Sequence, residues 1–442
     1  MTQSTPVAQL YRASIAHFPQ CSDSPRNALS YFVDGALVVF GENIEAVGDY
    51  ADLKPRFSHA QEHDFRGKLL IPGLIDSHVH FPQTEMIACY GEQLLSWLEN
   101  YTFPTEKRFK QQDYSDKIAR LFIDQLLKNG TTSAFAFSSV HKSACESLFN
   151  VASAHNMAIV AGKVCMDRNC PDDLSDTAIT AQRDTADLID KWHGKGRNLY
   201  AITPRFAPTS TEAQMAALGE LAQQYQDVFI QTHLSENKDE IEWVKSLYPQ
   251  HKGYLDVYDH YNMVRERSVY GHCIHLTNDE WARMGESGAT AAFCPTSNLF
   301  LGSGLFDNDK AKQNGVKVAL ASDVGAGTSF NLLRTYGEAY KISQLRGAPI
   351  DAIEGFYMMT QGAAAAHGLT HTIGNLNPGS HADFVLLTPQ FDALSSLRIA
   401  NDAPVDDVLF ALSMLGDDRA IAATYVAGKQ YTTIQENYDA LA

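Results

Sequence analysis

The 442-residue sequence predicts a (β/α)8 barrel of the TIM type, with a small β-sandwich domain built from both ends of the chain. Between residues 67 and 330, eight short apolar runs alternate with helical patterns, which is typical of a parallel sheet covered by helices. A closed barrel of eight such units usually takes about 250 residues, which matches this stretch. Toward both ends the pattern changes to short strands separated by turn residues.

The small domain is predicted from strands that lie far apart in the sequence. The run ALSYFVDGALVVFGENIEAVGDY over residues 28–50 predicts two strands around a turn, and GSHADFVLLTP and ATYVAGKQYTT predict further strands near the other end. Neither end has enough strands for a stable sheet, so we expect both ends to join in one domain. The expected division is a discontinuous small domain at 1–66 plus 375–442 and a barrel at 67–374.

The eight barrel strands follow in chain order. They are predicted from LIPGLIDSHVH, TTSAFAFSSV, AIVAGKVCMD, LYAITPRFAPT, VFIQTHLSE, SVYGHCIHL, ATAAFCPTSN and VKVALASDVGAG. Two of the intervening helices are predicted from SDKIARLFIDQLLKNG and STEAQMAALGELAQQY. The second begins with Ser and Thr followed by glutamate, which is a signal for the start of a helix.

The composition excludes several classes of partner. The formal net charge of −17 argues against a nucleic-acid partner, although it leaves room for a small neutral base as substrate. No run approaches the roughly 18 apolar residues of a membrane helix, and the first residues lack the basic start and apolar core of a secretory signal. The seven cysteines form no CxxC pair, which fits a reducing compartment. We therefore expect a cytoplasmic protein that acts on a small molecule.

Polar residues suited to catalysis follow four of the predicted strands at their carboxyl ends, where active sites of this barrel lie. They are His78 and His80 on the first strand, His233 and then Glu236 on the fifth, His272 on the sixth and Asp323 on the eighth. Side chains two residues apart on a strand share a face. Several imidazoles buried beside carboxylates without a metal would leave polar groups unpaired. Imidazole with carboxylate suits Zn²⁺, iron or another borderline divalent ion, so the pattern predicts a metal site.

Two neighbouring residues leave alternatives open. His275 follows His272 by three positions, so on a strand both cannot face inward, and we favour His272 for the site. Asp76 shares the face of His78 and His80. It could hold a histidine N–H, or it could be a polar residue in the barrel floor.

These residues, in this order, resemble the amidohydrolase superfamily in its single-metal branch. Within that branch, the sequence is similar to the guanine deaminase family in the segments PGLIDSHVHFPQ, MDRNCPD, ITPRFAPTS, THLSENKDEIEWVKSLYP, CPTSNLFLGSGLF and SDVGAGTSFN. Two-metal relatives usually carry a bridging lysine on strand four. Here that strand has none, and Lys163 lies on strand three, which favours one metal.

The resemblance implies a set of roles for individual residues. One zinc ion per chain, with iron as the alternative, would be bound by His78, His80, His233 and Asp323. Glu236 would be the proton shuttle, and His272 and Asp323 would act on the water that the metal activates. The purine would be bound by Gln83, Arg205, Phe206, His233, Glu236 and Asp323. The implied activity is hydrolysis of guanine to xanthine and ammonia, in a homodimer.

Two other functions are considered beside this one. The same scaffold could hydrolyse another substituted heterocycle, such as 8-oxoguanine, a pterin or a triazine, or a cyclic amide. Glu236 favours deamination, because an amine leaving group needs a proton. A non-enzymatic relative could lose its ligands, yet all are present here. Glu236 has a structural alternative as well, since an acidic residue at the start of the helical stretch KDEIEWVKSLYP would stabilise that helix.

Overall fold

A computed structural model describes residues 7–432 of the chain. The strands are β1 (Gln9–His17), β2 (Ser30–Phe40), β3 (Asn43–Asp49), β4 (Gln61–Pro72), β5 (Leu74–His80), β6 (Thr131–Phe137), β7 (Ala158–Gly162), β8 (Val164–Cys165), β9 (Asn198–Pro204), β10 (Phe229–Leu234), β11 (Ser268–His272), β12 (Thr290–Phe293), β13 (Lys317–Leu320), β14 (Phe384–Leu387), β15 (Ile421–Val426) and β16 (Lys429–Gln430). The predicted small domain extends to residues 1–6 and 433–442, which lie outside the described residues.

Helices follow most of the barrel strands. They are α1 (Pro25–Ala28), α2 (Tyr50–Arg56), α3 (Leu94–Trp97), α4 (Phe103–Glu106), α5 (Gln112–Lys128), α6 (Lys142–Ala154), α7 (Ala178–Trp192), α8 (Glu212–Gln224), α9 (Lys238–Leu247), α10 (Tyr254–His260), α11 (Asn278–Ser287), α12 (Pro295–Phe300), α13 (Asn308–Gln313), α14 (Leu332–Leu345), α15 (Ala352–Met358), α16 (Gln361–Ala366), α17 (Ala393–Arg398) and α18 (Val405–Leu415). As the sequence predicts, α8 starts after Thr211, whose side chain accepts a hydrogen bond from Gln214 N at 3.2 Å. Within residues 7–432, no helix is both long and apolar enough to cross a membrane.

The barrel strands follow one another in the order β5, β6, β7, β9, β10, β11, β12 and β13, and every neighbouring pair is parallel. The short β8 also pairs with β9. Two backbone hydrogen bonds join the ends at the carboxyl edge: Asp323 N donates to His78 O at 2.9 Å and His80 N donates to Val324 O at 2.7 Å. The (β/α)8 barrel predicted from the sequence is confirmed.

A packed apolar layer fills the barrel interior beneath the carboxyl edge. Its buried members come from seven strands or the residues just after them, and they are Phe135, Val160, Ala201, Phe229, Val269, Ala292, Cys294 and Ala321. Two-residue alternation along β10 puts Phe229 on the face of His233. The polar strand ends therefore lie on top of a solid core, at one rim of the barrel.

Both chain ends build the second sheet, in the order β16, β15, β14, β4, β1, β2 and β3. The β1–β4 pair is parallel, and the other neighbouring pairs are antiparallel. Tyr11 on β1 and Tyr425 on β15 are three strands apart, about 14 Å in a flat sheet. Their ring centroids are nevertheless 5.2 Å apart. The single sheet therefore curls over itself and encloses a small apolar core, which is the sandwich-like arrangement that the sequence predicts.

Candidate active site

Three imidazoles and one carboxylate converge at the carboxyl rim of the barrel. His80 Nε2 lies 3.2 Å from His78 Nε2 and 3.1 Å from His233 Nε2. Asp323 Oδ1 lies 3.3 Å from His78 Nε2 and 3.2 Å from His80 Nε2. His78, His80 and Asp323 are buried, and His233 is partly buried. The structure thus brings together the four side chains that the sequence predicts as metal ligands.

The neighbouring strands supply the space for these rings. Gly271 on β11 leaves room for His78, because a Cβ at that position would lie 2.8 Å from His78 Cε1. The ring of Phe137 on β6 lies 4.7 Å from the His80 ring and 4.8 Å from the rings of His78 and His233. Phe137 therefore forms an apolar floor that excludes water from one side of the cluster.

Two of the strand ends turn into a left-handed backbone. His272 has a φ of +71° and Asp323 a φ of +51°. A non-glycine residue pays about 1–2 kcal/mol for this conformation, and such residues often occur at functional sites. The conformation redirects the side chain at the point where the strand ends, which strand alternation alone does not predict.

The protonation of the rings suits a divalent cation. Burial lowers the pKa of His80 to about 4, and burial together with the neighbouring histidines lowers the pKa of His233 well below its usual value. His233 Nδ1 donates to Arg205 O at 2.7 Å, so its Nε2 presents a lone pair to the cluster. Hydrogen bonds from His78 and His80 outweigh burial and hold the pKa of Asp323 well below its usual value. Neutral imidazoles at His80 and His233, beside the ionised carboxylate of Asp323, fit the donors that zinc or iron takes.

Glu236 is directed into the site and does not cap the helix that follows it. Ser303 Oγ donates to Glu236 Oε1 at 2.9 Å, and Glu236 Oε2 lies 3.4 Å from His272 Nε2. Asn237 caps α9 by accepting from Asp239 N, while Glu240 accepts from the backbone N–H groups of Glu236 and Asn237. Burial, and then the charge of Asp323, raises the pKa of Glu236 to about 8. A carboxyl group with such a pKa can both take up and release a proton near neutral pH.

The two histidines of the sixth strand separate as the sequence predicts. His272 Nε2 lies 3.8 Å from Asp323 Oδ2, and its Nδ1 lies 2.9 Å from Asn298 Oδ1. His275 donates from Nε2 to Ser303 O at 2.8 Å, outside the cluster. His272 is therefore the member of the pair that lies in the site.

The hydrogen bonds of Asp76 match neither of the two alternatives that the sequence left open, which were a partner for a histidine ring N–H and a polar residue in the barrel floor. Its Oδ1 accepts from Ser322 N at 2.9 Å and from His78 N at 3.3 Å, and its Oδ2 accepts from Ser322 Oγ. Asp76 therefore holds the backbone of a proposed ligand, not its ring, and ties β5 to the segment after β13. Lys163 is also buried, and it forms an ion pair with Asp176 outside the cluster.

A cavity borders the cluster, and its lining includes His80, His233 and Asp323. Its apolar side is lined by Leu94, Trp97, Leu98, Phe206, Leu301 and Ala326. Its polar side includes Gln83 and Arg205, both of which are buried. The structure therefore places Gln83, Arg205 and Phe206, three of the six side chains that the resemblance assigns to the purine, around the cavity beside the cluster.

Sequence reasoning missed one buried residue behind this wall, Glu106 on α4. Arg205 Nη1 donates to Glu106 Oε2 at 2.8 Å, and Gln83 Nε2 donates to Glu106 Oε1 at 3.2 Å. Glu106 is 1% exposed. It lies in the irregular segment after β5 and follows no strand end, so no motif marks it. The one available signal was indirect: a buried arginine needs a partner of opposite charge.

Comparison with known proteins gives a consistent result. The family model described as "Amidohydrolase family" matches residues 69–431. Guanine deaminase of Escherichia coli K12 is 48% identical over 422 residues, which cover 95% of this chain and 96% of that protein.

Two solved structures extend the match. The structure of the E. coli guanine deaminase superposes with a TM-score of 0.94 at 47% identity and covers 97% of this chain and 100% of that one. A guanine deaminase from C. acetobutylicum, solved with guanine bound in its active site, superposes with a TM-score of 0.87 at 31% identity, covering 96% of this chain and 100% of that one. The chain therefore belongs to the amidohydrolase family and, within it, to the guanine deaminases.

Proposed function

We propose that this chain hydrolyses guanine to xanthine and ammonia with the help of one divalent metal ion. The position of Glu236 carries this proposal. Its carboxyl group is buried, lies 3.4 Å from His272 Nε2 and is not used as a helix cap. A proton carrier at the edge of a metal-ligand cluster is what the removal of an amine requires. The bound guanine in the related C. acetobutylicum enzyme supports the choice of substrate.

The reaction has three chemical obstacles. Carbon C2 of guanine is a poor electrophile, neutral water is a poor nucleophile, and an unprotonated amine is a poor leaving group. A metal ion held by His78, His80, His233 and Asp323 would supply Lewis-acid activation of water, whose pKa such ions lower from about 15.7 toward about 7. The remaining steps fall to the side chains of the chain itself.

Glu236 would take a proton from the attacking water and deliver it to N3 of the purine, which makes C2 more electrophilic. It would then help to carry the second proton of that water, from the hydroxyl group now on C2, to the departing nitrogen, so that the C–N bond breaks, ammonia leaves and the oxygen remains on C2 as a carbonyl. Asp323 would orient the water, and His272 would stabilise its developing charge by hydrogen bonding. The raised pKa of Glu236, about 8, suits a group that must change protonation state twice in each turnover.

The polar wall of the cavity would hold the other edge of the ring. Arg205 offers only N–H donors, which suit the O6 acceptor of guanine, whereas Gln83 can both donate and accept. Phe206 offers an aromatic face at the same cavity. These contacts would set the distance of C2 from the metal-ligand cluster, and a well-oriented substrate is worth several orders of magnitude in rate.

Further parts of the proposal concern the metal, the assembly and the domains. We propose one zinc ion per chain, with iron as the alternative, because three imidazoles and a carboxylate suit both ions and strand four carries no bridging lysine. We also propose a homodimer in the cytoplasm.

We further propose that the chain divides into a small domain at 1–66 plus 375–442 and a barrel at 67–374. Strand β4 (Gln61–Pro72) runs across the first boundary.

Ammonia release tests the activity and separates it from other reactions on this scaffold. Metal-loaded protein is assayed with guanine, adenine, cytosine, 8-oxoguanine and aminopterins under the same conditions. The proposal expects guanine to give the highest kcat/KM. A higher value for another compound would make that compound the substrate, and no release from any of them would contradict a deaminase of these heterocycles.

A further inference from the structure

We propose that Glu106 is a positioning residue that makes the site selective for purines with a ring oxo group. This inference rests on the proposed function, since it concerns how the same cavity holds its substrate. Glu106 is absent from the lining of the cavity but contacts two residues that line it. It would therefore act through Gln83 and Arg205, without touching the substrate.

The first effect of Glu106 is on the orientation of the Gln83 amide. Gln83 Nε2 donates to Glu106 Oε1 at 3.2 Å, and Gln83 Oε1 accepts from Gly325 N at 3.3 Å. A carboxylate only accepts hydrogen bonds and a backbone N–H only donates. If the Gln83 amide were flipped, its Oε1 would face the carboxylate oxygen of Glu106, and its N–H groups would face the backbone N–H of Gly325. Neither contact could form a hydrogen bond. Gln83 is locked with one N–H and one lone pair left for a ligand.

The second effect is on Arg205. Arg205 Nη1 donates to Glu106 Oε2 at 2.8 Å, and the Arg205 Cζ lies 5.6 Å from the centre of the Phe103 ring. Phe103 and Glu106 are the first and last residues of α4. This single helical turn therefore provides both an ion pair, from Glu106, and an aromatic ring, from Phe103, to the Arg205 guanidinium. Both charged groups are buried, at 3% exposure for Arg205 and 1% for Glu106. An unpaired buried guanidinium would be costly, so the pair fixes Arg205 in place.

Together these contacts make a donor-rich wall of fixed geometry. After its bond to Glu106, Arg205 keeps further N–H donors, and Gln83 keeps one. A carbonyl oxygen on the ligand satisfies such donors, whereas a ring without it leaves them unpaired. Sites built to bind a polar group reject analogues that lack it by large factors. The ligand class is thus an oxopurine, and 2-aminopurine, which carries the same amino group but no oxo group, is the analogue for comparison.

The test compares guanine with 2-aminopurine in wild-type protein and in Glu106→Gln, with metal content and folding measured in both. The Gln side chain keeps the shape but places N–H donors against those of Arg205 or Gln83. We expect guanine to lose about 10- to 100-fold in kcat/KM, the worth of a charge-assisted hydrogen bond. We expect 2-aminopurine, assayed by turnover or as an inhibitor, to lose less than about fivefold, so that the discrimination between the two compounds falls about tenfold.

Three further variants keep the test decisive. Asp176→Asn breaks a different buried ion pair, with Lys163, and should lower stability while leaving the guanine to 2-aminopurine ratio unchanged. Because Glu106 acts through Arg205 as well as Gln83, Glu106→Gln should cost clearly less in the Arg205→Ala protein than in the wild type, and the remaining cost should reflect Gln83. If Glu106→Gln does not fold, Glu106→Asp replaces it and should show the same selective loss, in part.

An unchanged ratio in a folded, metal-loaded variant, or additive losses in the double variant, would overturn the inference. Measuring the dissociation constants of guanine and 2-aminopurine tests the role of Glu106 independently of whether the protein deaminates guanine. Wild-type protein that binds guanine selectively, and loses that selectivity with Glu106→Gln, supports the role of Glu106 even without deamination. Equal binding of both compounds by the wild type overturns it.

Discussion

Glu236 Oε2 lies 3.4 Å from His272 Nε2, at the edge of a cluster of three other imidazoles and the carboxylate of Asp323. The other oxygen of Glu236 accepts a hydrogen bond from Ser303. This arrangement leaves one carboxyl oxygen directed at the reaction centre while the other is held in place. It suits the proton shuttle that we propose for Glu236, because the carboxyl group is held in place and buried, and its pKa is raised to about 8.

Glu236→Gln keeps the shape and the hydrogen bonding of this side chain but cannot carry a proton. We expect kcat for guanine to fall by about 10²–10⁴ with folding and metal content intact. Steady-state kinetics beside elemental analysis checks this. Asn237→Ala is the matched control, because it removes the cap of α9 and should cost about 1 kcal/mol of stability with nearly normal kcat. Near-normal turnover by a metal-loaded Glu236→Gln protein would remove Glu236 from the mechanism.

The metal content should be about one tightly held ion per chain, because the ligands form one compact group on three strand ends. Elemental analysis of carefully purified protein measures it directly. Exhaustive chelation should abolish turnover, and added Zn²⁺ should restore it. Two ions per chain, or full activity after chelation, would be inconsistent with a single-metal site.

Arg205→Ala should damage guanine turnover far more than metal content. Loss of a charged hydrogen bond to a buried acceptor costs about 2–3 kcal/mol, or roughly thirty- to a hundredfold in kcat/KM. The same change leaves Glu106 without its charge partner, so the free energy of unfolding should also fall, by about 3–5 kcal/mol. Arg205→Lys separates the two effects, since it keeps the charge but not the fork of donors. Unchanged kcat/KM in Arg205→Ala would show that Arg205 does not contact the purine.

The stability of the barrel should decrease in acid through His367. Burial, with a smaller contribution from the charge of Lys317, lowers the pKa of His367 to about 3, against 6.5 for an exposed ring. Above pH 6.5 the ring is neutral in both the folded and the unfolded chain. Below it the unfolded chain binds a proton that the folded chain does not, so stability falls by about 1.4 kcal/mol per pH unit until about pH 3.

His367→Gln measures this contribution, because Gln can still bond to Ser77 Oγ, which lies 2.9 Å from His367 Nε2, but does not titrate. Between pH 6.5 and pH 5 the wild type should lose about 2 kcal/mol more than the variant, as followed by urea unfolding. Other buried histidines contribute equally to both proteins and cancel in the comparison. Equal pH dependence of the two proteins would show that His367 takes up its proton in the folded state.

The barrel, and the convergence of the four side chains proposed as metal ligands, could be predicted because both depend on periodic patterns. Apolar runs alternating with helices indicate the parallel barrel, and the spacing of His78 and His80 places both on one face. Strand ends of a barrel meet at one rim, so His233 and Asp323 follow from the same pattern. The curl of the small sheet, shown by the contact of Tyr11 with Tyr425, depends on twist and bulges that no periodicity reveals.

The parts that escaped prediction depend on contacts between irregular segments. Glu106 lies on a single helical turn, and its partners Gln83 and Arg205 are 23 and 99 residues away in the sequence. The left-handed backbone of His272 and Asp323 likewise follows from tertiary packing at the rim, since neither residue type requires it. Such departures from local sequence preference are common at functional sites.

In the proposed reaction a water molecule replaces the amino group of guanine, and isotopic oxygen follows that replacement. Metal-loaded protein is incubated with guanine in water enriched in ¹⁸O, and xanthine is analysed by mass spectrometry while ammonia is counted. We expect one oxygen atom from the solvent in each xanthine formed and one ammonia released for each guanine consumed. Xanthine without the label, or guanine consumed without ammonia, would contradict hydrolytic deamination at this site.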